Sequence, residues 1–149
     1  MRILFVCTGN TCRSPMAEVI ANAVFKNSCI DAQAVSRGIF AENGAPASEY
    51  ARLAVRNYRL SLEEHKAEKL TEEDIKKADL ILTMTSSHKH MIENICPADK
   101  LFTLKEYCFG NDGDISDPFG MSPAVYMECA EEIIDCINIL AEKLKNKNI

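Results

Sequence analysis

The sequence predicts an α/β protein, a parallel sheet covered by helices on both faces. Two observations carry this. Short runs rich in aliphatic and β-branched residues recur at 2–6 (RILFV), 34–38 (AVSRG), 80–84 (LILTM) and 101–104 (LFTL), each of strand length. Stretches with helical periodicity separate them, and alternation of this kind favours right-handed crossovers and parallel strands. Sheets of this class bind ligands beyond the carboxyl ends of their strands. The segment "CTGNTCRSP", Cys7 to Pro15, occupies such a position after the first strand.

The elements follow in order. The first helix is expected to open with Ser14 as N-cap and Pro15 as its first residue, with Met16, Ile20, Ala23 and Val24 on one face. "TEED" at 71–74 resembles a capping box in which Asp74 replaces the usual Glu. "FGNDGDISDPFGMS" at 109–122 fits no element and reads as a long loop, a feature that compact domains often reserve for function. Ser122 and Pro123 open a last helix with Tyr126, Ile133, Ile137, Leu140 and Leu144 at core spacing. There is no repeat, linker or low-complexity stretch, so one domain is expected over 1–149.

The totals fit that reading. The 149 residues are 47% hydrophobic and 26% charged, enough for one core. Net charge is −5 and the only basic cluster is the terminal "EKLKNKN", so no nucleic-acid partner is expected. Seven cysteines include no CxxC pair, so no metal site and no cofactor are expected. No signal peptide and no membrane-spanning stretch is visible, which points to a cytoplasmic protein with reduced thiols; a monomer is expected. His65, His88 and His90 are expected at the surface, and Cys129 and Cys136 in the core.

The 7–14 loop suits a phosphate. Gly9 permits unusual backbone angles, so successive amides of Thr8, Gly9, Asn10, Thr11 and Cys12 can point inward as a nest. The following helix aims its positive end at the same point. Arg13 can grip two phosphate oxygens with its planar fork. That field should lower the pKa of Cys7 and make it a nucleophile, with Ser14 bonding its sulfur. A Walker-type loop is ruled out because no Gly-Lys-Ser/Thr ends the segment. For "DISDPFG" two readings stand: a mobile acid at Asp117, or a solvated acidic turn of Asp112, Asp114 and Asp117. A calcium loop fits poorly, since Pro123 takes the place of the closing Glu.

These motifs, "CTGNTCRSPMAE" at the N-terminus, "SRG" at 36–38, "ADLILTM" at 78–84 and "DPFG" at 117–120, resemble the low-molecular-weight protein tyrosine phosphatases over the whole chain. The resemblance implies a four-stranded parallel sheet flanked by helices, of flavodoxin-like type. It also implies roles. Cys7 would attack phosphorus, Arg13 and the loop amides would hold the equatorial oxygens, and Ser14 would support the leaving thiolate. Asn10 and Ser36 would brace the loop, and Asp117 would act as general acid and then base. Arg37 stands where the family carries a small residue. The partners implied are phosphorylated proteins.

The bacterial protein-arginine phosphatase branch is the most similar. Thr11 follows Asn10 where tyrosine phosphatases often have an aliphatic residue, and the Asp-Pro loop has the single aromatic Phe119. A hydroxyl at Thr11 can orient a phosphoguanidinium, while phosphotyrosine presents an apolar ring; phosphotyrosine remains the alternative substrate. Packing against the loop is the plainer role for Thr11. An arsenate reductase would need cysteines just beyond the third strand, and none occurs before Cys96. A non-catalytic phosphate-binding module would not require Cys7, Arg13 and Asp117 together. Cys7 and Cys12 are expected to form a reversible disulfide on oxidation.

Overall fold

The structure, a computed structural model, describes residues 1–111 and 113–147. Strand β1 spans Arg2–Cys7, β2 Gln33–Gly38, β3 Leu80–Thr83 and β4 Leu101–Thr103. They form one parallel sheet in the order β2-β1-β3-β4. The helices are α1 (Arg13–Asn27), α2 (Glu49–Arg56), α3 (Glu72–Lys77), α4 (Ser86–Ile92), α5 (Leu104–Phe109) and α6 (Pro123–Lys147).

Both faces of the sheet are covered, which is why β1 and β3 read as unbroken apolar runs. Ile3, Phe5, Leu80 and Leu82 point into a core shared with α1, α2, α5 and α6. Leu4, Val6 and Ile81 point the other way, against Ile75 of α3, Ile92 of α4 and Leu101. The register pairs Cys7 with Gly38 and Val6 with Thr83. The carboxyl ends of β1, β2 and β3 therefore meet at one edge of the molecule.

Local signals explain most boundaries. Thr71 and Asp74 form the expected capping box. A second one, Thr103 with Glu106, turns β4 directly into α5, so Leu104 is helical and not the last strand residue. Gly110 at φ 76° ends α5 in the left-handed region. The loop therefore starts at Gly110; Asp112 lies outside the described residues. Helix α6 buries Tyr126, Ile133, Ile137, Leu140 and Leu144 as their spacing predicts, together with Cys129 and Cys136.

Two expectations for α1 are corrected. Ser14 is not the N-cap; Cys12 holds that position without a side-chain bond to the helix amides, and Ser14 lies in the first turn. Its hydroxyl faces the Cys7 sulfur instead of the helix amides. The buried face is Met16, Ala17, Ile20, Ala21 and Phe25, while Ala23 and Val24 are half-buried. No helix among the described residues is long and apolar enough to cross a membrane.

Candidate active site

The β1–α1 loop sits against the end of β2 backbone to backbone. A Cβ at Gly38 would stand 2.7 Å from the Thr8 carbonyl and 2.8 Å from the Asn10 amide, so glycine is required there. Ile39 and Phe40 donate their amides to the carbonyls of Cys7 and Thr8, both at 2.9 Å. The loop's left-handed residue is Asn10, at φ 57°, and not Gly9 as expected. Asparagine tolerates this conformation better than most side chains, and here its amide group is fully used.

Asn10 is completely buried. Its Nδ2 donates to Ser14 Oγ and Ser36 Oγ at 2.9 Å each, and its Oδ1 accepts from the Glu68 amide at 2.9 Å. His65 Nε2 meets the Asn10 carbonyl at 2.8 Å. Ser36 passes its own proton to Glu18, 3.0 Å away. The direction of the chain follows from Asn10, whose Nδ2 can only donate. Ser14 accepts from it and keeps its proton for Cys7 Sγ, 2.8 Å away. Arg37, beside Ser36, is absorbed by Asp74 and Glu68 at 3.2 Å each.

A cavity of about 260 Å3 opens above this network, lined by Cys7, Thr8, Gly9, Thr11, Cys12, Arg13, Asp117 and Phe119. Arg13 is buried at its edge. Its Nη1 donates to the Ile115 carbonyl at 2.9 Å, and its Nη2 stands 3.5 Å from Asp117 Oδ2. Ile115 is anchored in turn by its amide on the Met84 carbonyl at 2.8 Å. Asp117 is half-exposed, and Phe119 is 75% exposed on the rim. Phe40 is also exposed and does not line this cavity.

Burial pushes the Cys7 thiol up, against the expectation drawn from the loop's field. The Ser14 hydroxyl, the amides of Ser14 and Asn10 and the Arg13 guanidinium all pull it down, yet removal of the sulfur from water outweighs them in the resting cavity. Cys12 lies beneath the loop, with Sγ 3.3 Å from Ser48 Oγ and 3.6 Å from Tyr126 OH. Burial and Cys12 together push the Tyr126 phenol up to about 12.

His88 is not the surface residue the sequence reading expects, and His65 is half-buried. His65 braces Asn10, as above. His88 is buried, with Nε2 2.8 Å from Thr8 Oγ1 and Nδ1 3.0 Å from Thr85 Oγ1. Burial and then Arg13 push its pKa down to about 4, so the imidazole is neutral. Only His90 is exposed. Glu18, Ser48, His65 and His88 are the site residues that motif spacing did not find. Ser48, His65 and His88 are distant in sequence from the loop, while Glu18, four residues past Ser14 in α1, acts through Ser36 of β2, so nothing local to them signals a role.

The sequence from residue 2 to 149 matches the description "Low molecular weight phosphotyrosine protein phosphatase". The chain belongs to that family. A curated relative from Bacillus subtilis, named protein-arginine-phosphatase, is 41% identical over 147 residues, covering 97% of each chain. The solved structure of the YwlE arginine phosphatase, a C7S mutant with a phosphorylated active-site serine, superposes with a TM-score of 0.94 at 40% identity, covering 97% of this chain and 96% of that one. A low molecular weight protein tyrosine phosphatase from T. tengcongensis superposes with a TM-score of 0.92 at 49% identity, covering 96% and 99%. The four-stranded parallel sheet and its flanking helices are the family's fold.

Proposed function

We propose that this protein is a cysteine-dependent phosphatase that removes phosphate from phosphoarginine in proteins through a phosphocysteine intermediate. The convergence of Cys7, Arg13 and Asp117 on one cavity carries the reading. The substrate's phosphoryl group lies in the loop, with Arg13 and the amides on its oxygens. The Cys7 thiol proton passes, by way of solvent, to the Asp117 carboxylate; Cys7 Sγ, now a thiolate, attacks phosphorus, and the bond to the arginine nitrogen breaks. Asp117 delivers its proton to that nitrogen. Asp117, now a carboxylate, takes a proton from water as the water oxygen attacks phosphorus. The sulfur–phosphorus bond breaks, inorganic phosphate forms, and the Ser14 proton receives the returning thiolate.

Thr11 supports the choice of substrate. Among the described residues, the polar contact of its Oγ1 is Cys12 Sγ at 3.8 Å, a weak bond to sulfur that leaves a lone pair of the oxygen open. It is free to accept from a guanidinium nitrogen. The arginine phosphatases among the relatives agree with this reading. Phosphotyrosine is the second reading, favoured by the 49% identical relative named as a tyrosine phosphatase. The cytoplasm, which keeps protein thiols reduced, suits a cysteine nucleophile.

The test is kcat/KM for matched phosphoarginine and phosphotyrosine peptides. Preference for phosphoarginine supports the first reading, and preference for phosphotyrosine replaces it with the second. Cys7→Ser should abolish turnover and accumulate phosphoserine at position 7, detectable by mass spectrometry. Multiple turnover by that variant would remove Cys7 as the nucleophile.

A further inference from the structure

Thr8, the residue after Cys7, is clamped from two sides. Its carbonyl is held by the Phe40 amide at 2.9 Å, beyond the end of β2. Its hydroxyl is held at 2.8 Å by His88 Nε2, from α4 beyond the end of β3. The far nitrogen of the same imidazole meets Thr85 Oγ1 at 3.0 Å, and that oxygen already accepts the His88 amide at 3.2 Å. The segment Met84–His88 also holds the opposite wall. Met84 O accepts the Ile115 amide at 2.8 Å, and Asp114 Oδ1 accepts the Ser86 amide at 2.8 Å. One short stretch of chain thus fixes Thr8 on one side of the cavity and the base of the Asp-Pro loop on the other.

We propose that His88 is a positioning residue for anion binding, holding Thr8 through an Nε2–H donor so that the loop is set before substrate arrives. The inference rests on the phosphatase reading above.

On this proposal the ring proton sits on Nε2. Thr85 Oγ1, which accepts the His88 amide, then gives its own proton to Nδ1. Nε2 gives the ring proton to Thr8 Oγ1. The Thr8 hydroxyl proton is left unspent on a residue that lines the cavity. With the other tautomer Thr8 would donate to His88 and turn only lone pairs toward an anion. The clamp acts before chemistry and equally in ground and transition states, so its loss belongs in KM and not in kcat.

The experiment measures the dissociation constant of inorganic phosphate by calorimetry, with kcat and KM for an aryl phosphate. Thr8→Val should weaken phosphate binding about 5- to 10-fold, the usual weight of one hydrogen bond, and raise KM with kcat nearly kept. His88→Leu should do the same, and the double variant should lose no more than either single one. His88→Gln, whose amide nitrogen reaches the place of Nε2, should recover most of the affinity. Nitrogen-15 spectra should find the His88 proton on Nε2. Unchanged phosphate affinity in Thr8→Val, a residue exposed enough to be replaced without loss of fold, would overturn the proposal. So would multiplicative losses in the double variant, a Gln variant as weak as Leu, or a proton on Nδ1. Failure of the parent protein to bind phosphate would overturn the phosphatase reading as well.

Discussion

Arg13 Nη2 stands 3.5 Å from Asp117 Oδ2, joining the residue that ends the cysteine loop to the residue that opens Asp-Pro. The guanidinium is buried and the carboxylate half-exposed, so the arginine is the fixed partner. Its other nitrogen, on Ile115 O, holds the base of the same loop. On the phosphatase reading, an anion entering the cavity would compete with Asp117 for Nη2 and free the carboxyl to face a leaving group. Arg13→Lys loses the planar fork and both contacts at once. It should be severely impaired toward every substrate, and near-normal kinetics would exclude the bidentate grip.

Asp117→Asn should hit substrates unequally. An arginine nitrogen must be protonated to depart, whereas nitrophenolate leaves readily without help. The variant should lose about 10²–10⁴-fold on phosphoarginine and far less on nitrophenyl phosphate in the first step, read by burst kinetics. Equal losses would assign Asp117 to a different step.

Peroxide should convert Cys7 to its sulfenic acid, which the Cys12 thiol then attacks with loss of water, leaving a disulfide. The two Cα atoms must come within about 7 Å, and Cys12 must leave Ser48 and Tyr126 to reach across. Mass spectrometry should find the Cys7–Cys12 bond, and thiols should restore activity. Cys12→Ser should lose activity irreversibly under the same treatment; full recovery by thiols in that variant would deny Cys12 a protective role.

His88 also makes a pH prediction. Its pKa is about 4 in the fold and about 6.5 in an unfolded chain. Between those values the unfolded chain takes up a proton that the folded protein refuses. The contribution of His88 to stability is therefore complete above pH 6.5 and is lost as pH falls from there toward 4. Melting temperatures at pH 7 and pH 5 should differ more in the parent than in His88→Gln, which does not titrate. An equal drop in both would place the His88 pKa near its ordinary value.

The parts of the fold that were legible are those written locally. The cysteine loop, β1 and the stripe of α6 each depend on residues within a few positions of one another. The supporting shell is not written that way. His65 reaches Asn10 across 55 positions and His88 reaches Thr8 across 80, and only the sheet register brings them together. Ser14 misleads for a related reason. A serine before Pro15 reads as an N-cap, but Asn10 Nδ2 occupies its lone pair and Cys7 takes its proton, so tertiary partners override the local signal.

Thr11 offers the sharpest test of substrate choice. It lines the cavity, and the Thr11 carbonyl is already tied to the Ser48 amide at 2.9 Å, so its backbone is fixed while its hydroxyl is not. Thr11→Ile keeps the branched shape, deletes the hydroxyl and adds apolar bulk to the wall. A guanidinium nitrogen then loses its acceptor, while a flat apolar ring gains a surface. One wall contact of this kind is worth roughly 1–3 kcal/mol, so the ratio of kcat/KM for phosphoarginine over phosphotyrosine peptides should fall by about 10–200-fold. The melting temperature should hardly move, because the Ser48 bond and the branching are both kept. An unchanged ratio in a folded variant would remove Thr11 as the selector, and the two substrate readings would then stand on equal terms.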